Sequence, residues 1–570
     1  MERAQVHYEL FVRRQPTSGW TLELATEDRA RALRTAEESL AEGRVAAVRV
    51  TKETLDEETR EFRSVTILTK GAVEKVKTRK PREDSGPLCV SPSDLYTAHA
   101  RDRIGRLLEQ WLVRQKATPF ELLHRADLVE KLEASGVELQ HAIQKIAIPE
   151  AQERGIGVHE IIRTFQQLAQ RAIDRLIKDH RKGSLPNLEK EGFAAAAERL
   201  VGEPERAYLL GAGVAAVMSR ATSWSEKVGL LLDLADAAPE SPQARALALQ
   251  VIEQPLNEIL GSRSGLAELL GSDLDVGGQL AAMTRLAGAD PVETLISVEP
   301  SVARAMPALN GPAARLANWL GGPHFESCRV AIAQRVLREL VGPRRLKPSD
   351  AEGEIELLRA LAMALTAAGD RVLSPDDVNN AFSTRSKMLV TSDFVEALLG
   401  SNRGAREEVE TLVRLAENVT GAANKRQAAR WLAANISALR FEKELRSGPD
   451  SPAAKLAGLA KLQKELARVG LIAEDAAPLQ AKIGEVAGLI ESDSRLVALL
   501  ARANAPVVHR LSLLLRMAVG DAAPIGPVAD RARLEALKMV RAPELRAELA
   551  KSPEALEKVR GLMQTAGLAA

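Results

Sequence analysis

Two hydrophobic periods divide the chain. Over roughly the first 70 residues apolar and polar side chains alternate, the period-two pattern of strands with one face buried. "HYELFVRR" (7–14) and "GWTLELAT" (19–26) are predicted strands joined by the turn "QPTSG". "EDRARALRTAEESLAEG" (27–43) then reads as an amphipathic helix that Gly43 ends through a left-handed C-terminal cap. "RVAAVRVTKE" (44–53) and "REFRSVTILTKG" (60–71) return to alternation across the acidic connector "TLDEET", which predicts a hairpin. The order is ββαββ, and one helix on one face of a small antiparallel sheet is a sufficient core.

From residue 88 onward the apolar positions recur at three and four, and helix is expected almost throughout. The helix starts share a grammar. Ser91-Pro92-Ser93-Asp94 places serine at the N-cap, proline at the first helical position and an acid two further on. Thr118-Pro119-Phe120-Glu121, Asp290-Pro291-Val292-Glu293 and Ser374-Pro375-Asp376-Asp377 repeat it, while Ser223-Trp224-Ser225-Glu226 lacks the proline. Such frequent punctuation predicts many helices of moderate length with short connections, plus one long helix through "NKRQAARWLAANISALRFEKELRSG" (424–448). The caps are unevenly spaced, so an irregular, solenoid-like array is expected instead of a regular repeat. The fold class is therefore mainly α with a small α+β module in front. The expected divisions are the module at 1–72, a basic linker at 73–87, a helical segment at 88–184, a helical array at 185–398 and a C-terminal helical domain at 399–570.

Composition narrows the chemistry. Lysine and arginine total 78 against 77 acids, so no chain-wide field favours nucleic acid or an anionic membrane. Aromatics are 3% of residues, which leaves leucine, alanine and valine to build the core. The stretch "ELLRALAMALTAAG" (356–369) is too short, and too interrupted by Arg359, to cross a bilayer. The charged start "MERAQVHYELFVRR" does not read as an export signal. Two cysteines suit a reducing compartment, and a cytoplasmic protein is expected.

Candidate chemical residues are few. The linker places Lys75, Lys77, Arg79, Lys80 and Arg82 in one run, a possible phosphate or partner contact. Cys89 precedes a helix start, where the helix dipole would lower a thiol pKa. In one continuous helix from Leu95, Ala100, Ile104, Leu107 and Trp111 form the buried stripe, and His99 lies among Arg103 and Arg106 on the polar face. His124 and Asp127, three apart, suit a surface hydrogen bond. Gly211, Gly213 and Ala216 match GxGxxA, but a helical start precedes them, which favours close packing over a dinucleotide turn. The cations Arg171, Arg175, Lys178, Arg181 and Lys182 complement a helix C-terminus, and Lys425, Arg426 and Arg430 read as a solvated face beside Trp431.

No motif organises a metal or cofactor, and none is expected. The chain reads as a non-enzymatic helical scaffold or adaptor that binds a protein partner through its helical surface. Two other classes stay open: a nucleic-acid-associated protein using the basic linker and the N-terminal module, and an enzyme without a recognisable motif.

Overall fold

The computed structural model describes residues 6–15, 20–55, 62–71, 89–549 and 553–568. Contacts gather the chain into two compact units, Met1–Leu88 and Cys89–Ala570.

In the first unit β1 (Val6–Arg13), β2 (Thr21–Thr26), α1 (Arg29–Ala41), β3 (Ala47–Leu55) and β4 (Phe62–Gly71) follow the expected ββαββ order. The sheet is antiparallel throughout, in the order β2-β1-β3-β4. Leu10 lies opposite Val50 and Val12 opposite Val48, and these four pack on Ala32 and Ala36 of α1, whose small side chains let helix and sheet approach. Asp28 caps α1 by accepting from the Ala30 N–H at 2.8 Å. Gly43, at φ +67°, ends it in the left-handed conformation.

The second unit is a helical array, and no strand occurs in it among the described residues. One buried cluster of leucine, alanine and valine runs through it from Phe120 to Ala566, and a smaller one gathers around Trp111, Leu128 and Tyr208. Successive helices form hairpins, such as Glu138–Arg154 with Val158–Arg181 and Pro452–Arg468 with Ala473–Ser494.

The caps behave as their chemistry dictates. At Thr118 the hydroxyl accepts from the Glu121 N–H, and the Glu121 carboxylate accepts from the Thr118 N–H, both at 3.1 Å. Ser374 accepts from the Asp377 N–H at 3.2 Å. The start expected at Asp290 is realised as a break: Ala289, at φ +45° and ψ −133°, interrupts the run Val276–Val298.

Three helices expected to be continuous are broken. The stretch after Leu95 is a 3-10 turn over Pro92–Tyr96, then Ala98–Leu107 and Glu109–Gln115, because Thr97 is extended and caps the second piece. His124 and Asp127 stand on separate helices, parted by an extended Arg125. The expected long helix over 424–448 is two, Ala422–Ile436 and Leu439–Ser447, parted at an extended Ala438. Without that break Phe441 would lie about 140° around the helix from Ile436. The interruption re-phases the chain so that Phe441 and Leu445 join the core, at the cost of exposing Leu439.

Candidate functional site

Lys75, Lys77, Arg79, Lys80 and Arg82 lie outside the described residues. Cys89 is half-buried, with Sγ 3.9 Å from the Asp94 carbonyl. Burial and then the Asp94 charge push its thiol pKa up, with Arg103 pulling weakly the other way. This is opposite to the activation that a helix N-terminus would bring to a thiol. The reason is local: the Asp94 carboxylate accepts the Val90 and Ser91 N–H groups at 2.8 Å each, so the helix start presents a carboxylate where the dipole would present free donors.

His124 does not meet Asp127. Asp127 holds Arg125 at 2.8 and 3.1 Å, while His124 Nδ1 lies 2.8 Å from the Phe120 carbonyl in the interior. Its ring sits among those of Tyr96, Phe120 and Tyr208, at centroid distances of 4.3–5.7 Å. Burial lowers its pKa to about 4.

Gly211 and Gly213 lie within the helix Arg206–Met218, which no strand precedes. A Cβ at Gly211 would stand 2.6 Å from His124 Nε2, and one at Gly213 2.8 Å from Leu188 Cγ. Both glycines serve close packing. Gly211→Ala should therefore destabilise the protein by about 1–3 kcal/mol through overpacking, against the gain of about 1 kcal/mol that alanine brings to a helix interior. Urea unfolding measures this, and a stabilised variant would show that His124 yields.

The cations after Arg171 divide into two groups. Arg175 lies 4.3 Å from the Tyr208 ring centroid and 2.6 Å from Glu205, and Arg171 donates to the Val90 carbonyl at 2.7 Å. Lys178, Arg181 and Lys182 stay exposed. Lys425 is not solvated as expected: its ammonium donates to the carbonyls of Ala416, Glu417 and Val469, at the ends of two helices.

A buried polar junction, which sequence reasoning missed, ties the start of the second unit to helices more than 100 residues later. Glu121, fully buried, holds Lys227 Nζ at 2.6 Å and Arg125 at 2.9 Å. Lys227 also donates to the Lys116 carbonyl, and burial lowers its pKa against the pull of Glu121. Beside it Arg101 donates to Glu258 at 2.7 Å, and Glu258 accepts the Phe120 N–H at 2.7 Å. Burial raises the Glu258 carboxyl to about 7, with Arg101 and the Phe120 N–H opposing. Shifted carboxyl and imidazole groups mark many active sites. Here the groups are directed at one another and at helix ends, which is the work of a structural clasp.

Two further features lie outside the core. A cleft of about 410 Å³ opens between the hairpin Pro452–Arg468/Ala473–Ser494 and the loop after Val519. Ala467, Ala477 and Ala481 form its sides and Ile525 its half-exposed rim. Gln463 fixes the loop, donating to the Gln480 and Ile525 carbonyls at 3.1 and 3.0 Å and accepting the Ile525 N–H at 2.8 Å. Lys464 holds Asp521 at 2.5 Å. The loop approaches the hairpin at Gly484, where a Cβ would stand 2.9 Å from the Ile525 carbonyl oxygen.

The second feature is the sheet face of the first unit turned away from α1. Arg13 and Arg49 guanidinium carbons lie 4.7 and 4.8 Å from the Trp20 ring centroid, and Arg49 lies 5.4 Å from that of Phe11. Leu22, opposite Phe11 in the register, is 49% exposed.

Among the described residues no cluster of histidine, cysteine and acid side chains has the grouping of a metal site, and no helix is long and apolar enough to cross a membrane. No protein-family model, curated protein or solved structure matches the chain.

Proposed function

We propose that the protein is a cytoplasmic, non-enzymatic helical scaffold or adaptor whose second unit binds a protein partner. The cleft beside Ile525 carries this reading. It is braced by Gln463 and by the Lys464–Asp521 pair, walled by small side chains and rimmed by an exposed isoleucine. That combination suits the apolar side chain of a partner helix or extended peptide, because bracing the walls beforehand reduces the entropy cost of association. The two free cysteines are in keeping with a reducing compartment.

Ala481→Trp tests it. Ala481 is exposed, so the indole fills the cleft without entering the core. Affinity purification with the unaltered chain should recover a stoichiometric partner, and Ala481→Trp should lose it while melting at an unchanged temperature. Recovery of the same partner at the same stoichiometry by the variant would reject the cleft, and repeated recovery of the chain alone would reject the scaffold reading.

A further inference from the structure

We infer that Arg263, Arg335 and Arg338 form a binding site for a dianionic phosphate group. The site shares no residue with the cleft beside Ile525, and the inference does not depend on that cleft.

Helix packing gathers the three arginines. The helix Glu326–Val341 packs along Pro242–Gly261, and Glu253 ties the two by accepting the Ser327 N–H and hydroxyl at 2.8 Å each. From this tie Arg335 and Arg338 lie about two and three turns along one helix, adjacent to each other on its surface. Arg263 opens the short helix Arg263–Leu270 that follows the other. The charges of Arg263 and Arg338 both bear on the Arg335 guanidinium, so the two helices leave the tie in the same direction. The Arg335 side chain is 14% exposed, and its carboxylate partner, Glu339, stands at a loose 3.7 Å. Burial pushes its pKa down, Glu339 pulls it back, and Arg263 and Arg338 push it down again.

The cluster is open to solvent and short of negative charge. Arg263 and Arg338 are exposed, and neither has a hydrogen bond or ion pair among the described residues. Gly261, two positions before Arg263, has open space where a Cβ would stand. The start of the short helix adds neutral donors. Ser262 Oγ takes the Gly265 N–H at 3.0 Å, while the N–H groups of Arg263 and Ser264 have no acceptor among the described residues. Ser264 Oγ is sheltered from water and also has no partner, whereas sheltered hydroxyls are ordinarily hydrogen-bonded. An oxyanion at this point would accept from all of these groups. Charge selects among oxyanions. Three guanidinium groups against the Glu339 carboxylate leave a local charge that a dianion matches, and their planar forks suit phosphate oxygens. A carboxylate brings half that charge on fewer oxygens, which favours a phosphate group over an acidic side chain.

The test is calorimetric titration of the full chain with inorganic phosphate and, separately, with O-phosphoserine, at one ionic strength and with acetate as the carboxylate control. Saturable binding is expected for at least one of the two phosphate compounds, and the tighter one tells whether the site takes the free ion or a monoester. Acetate should not compete. Joint Arg263→Gln and Arg338→Gln should lower affinity about tenfold or more, since both side chains would donate to the ligand. The same variant should melt no lower than the unaltered chain in phosphate-free buffer, because it removes like charges from around Arg335. Saturating phosphate should raise the melting temperature of the unaltered chain and leave that of the double variant in place. Arg335→Lys keeps the charge and loses the fork, and should lower affinity about threefold. Should the lysine variant fail to fold, the exposed pair decides. Absence of saturable binding by both phosphate compounds, equal binding of acetate, or unchanged affinity in the double variant would overturn the proposal.

Discussion

Glu121→Ala should lower the unfolding free energy by about 3–5 kcal/mol, the cost of leaving a buried charge without its partner. In the native protein Glu121 Oε2 lies 2.6 Å from Lys227 Nζ and accepts the Thr118 N–H, while Oε1 holds Arg125. Alanine removes all three contacts. It leaves the Lys227 ammonium, 2% exposed, with the Lys116 carbonyl as a poor substitute. It also ends the capping box of the helix Pro119–His124. Lys227→Met should cost less, because Glu121 keeps Arg125 and the Thr118 N–H. The double change Glu121→Leu with Lys227→Met should recover most of the loss, since well-packed apolar side chains often replace a buried pair without penalty. Shifts of the urea midpoint report these differences. A Glu121→Ala midpoint close to that of the unaltered chain would show that water reaches Lys227, and the clasp would then have no energetic weight.

The second large effect is a pair of opposed pH dependences. Glu258 is raised to about 7 in the folded chain from an ordinary value near 4.5, chiefly by burial. Its contribution to stability is fully present below about pH 4.5 and is lost as pH rises through about 7, an amplitude of roughly 3 kcal/mol. His124 is lowered to about 4 from 6.5, again chiefly by burial. Its contribution is present above about pH 6.5 and is lost as pH falls through about 4, with a similar amplitude of roughly 3 kcal/mol. Between about pH 4.5 and 6.5 the two nearly cancel. Removing either one should expose the other. Relative to the unaltered chain, Glu258→Gln should lose stability progressively on acidification through this range, and His124→Gln should gain it. Unfolding curves at pH 5, 6 and 7 test both. Parallel pH profiles for all three proteins would mean that neither group changes its proton affinity on folding.

Much of the local structure is legible in the residues themselves. The alternation in "HYELFVRR" and "RVAAVRVTKE" places strands, and Asp28 and Gly43 bound the helix between them. Caps are legible for the same reason, since Thr118, Glu121, Ser374 and Asp377 act over three residues of backbone. The breaks at Thr97, Arg125 and Ala438 are harder to read. At Ala438 the break turns Phe441 inward, and at all three positions the local sequence remains compatible with helix.

The buried junction was not legible. Arg101 follows Ala100 on a helix rich in charge and reads as a surface residue, and nothing nearby announces that its carboxylate partner stands 157 positions later. Lys227 likewise finds Glu121 across 106 positions. His124 reads as a polar neighbour of Asp127 until the chain bends at Arg125 and carries it among Tyr96, Phe120 and Tyr208. The arginine–tryptophan stack of the first unit is an intermediate case. Alternation alone puts Phe11 and Arg13 on one face, but the stack on Trp20 needs the register that brings β3 beside β1 and Arg49 with it.

By itself, then, the sequence determined where strands and helices form and how most of them begin and end, because periodicity and capping act within a few residues. Tertiary structure alone decided which charges are buried, which histidine is neutral, and which arginines meet an aromatic ring. Those outcomes depend on side chains far apart in the chain sharing a volume from which water is excluded, and in such a volume a polar group persists only where the fold supplies its partner.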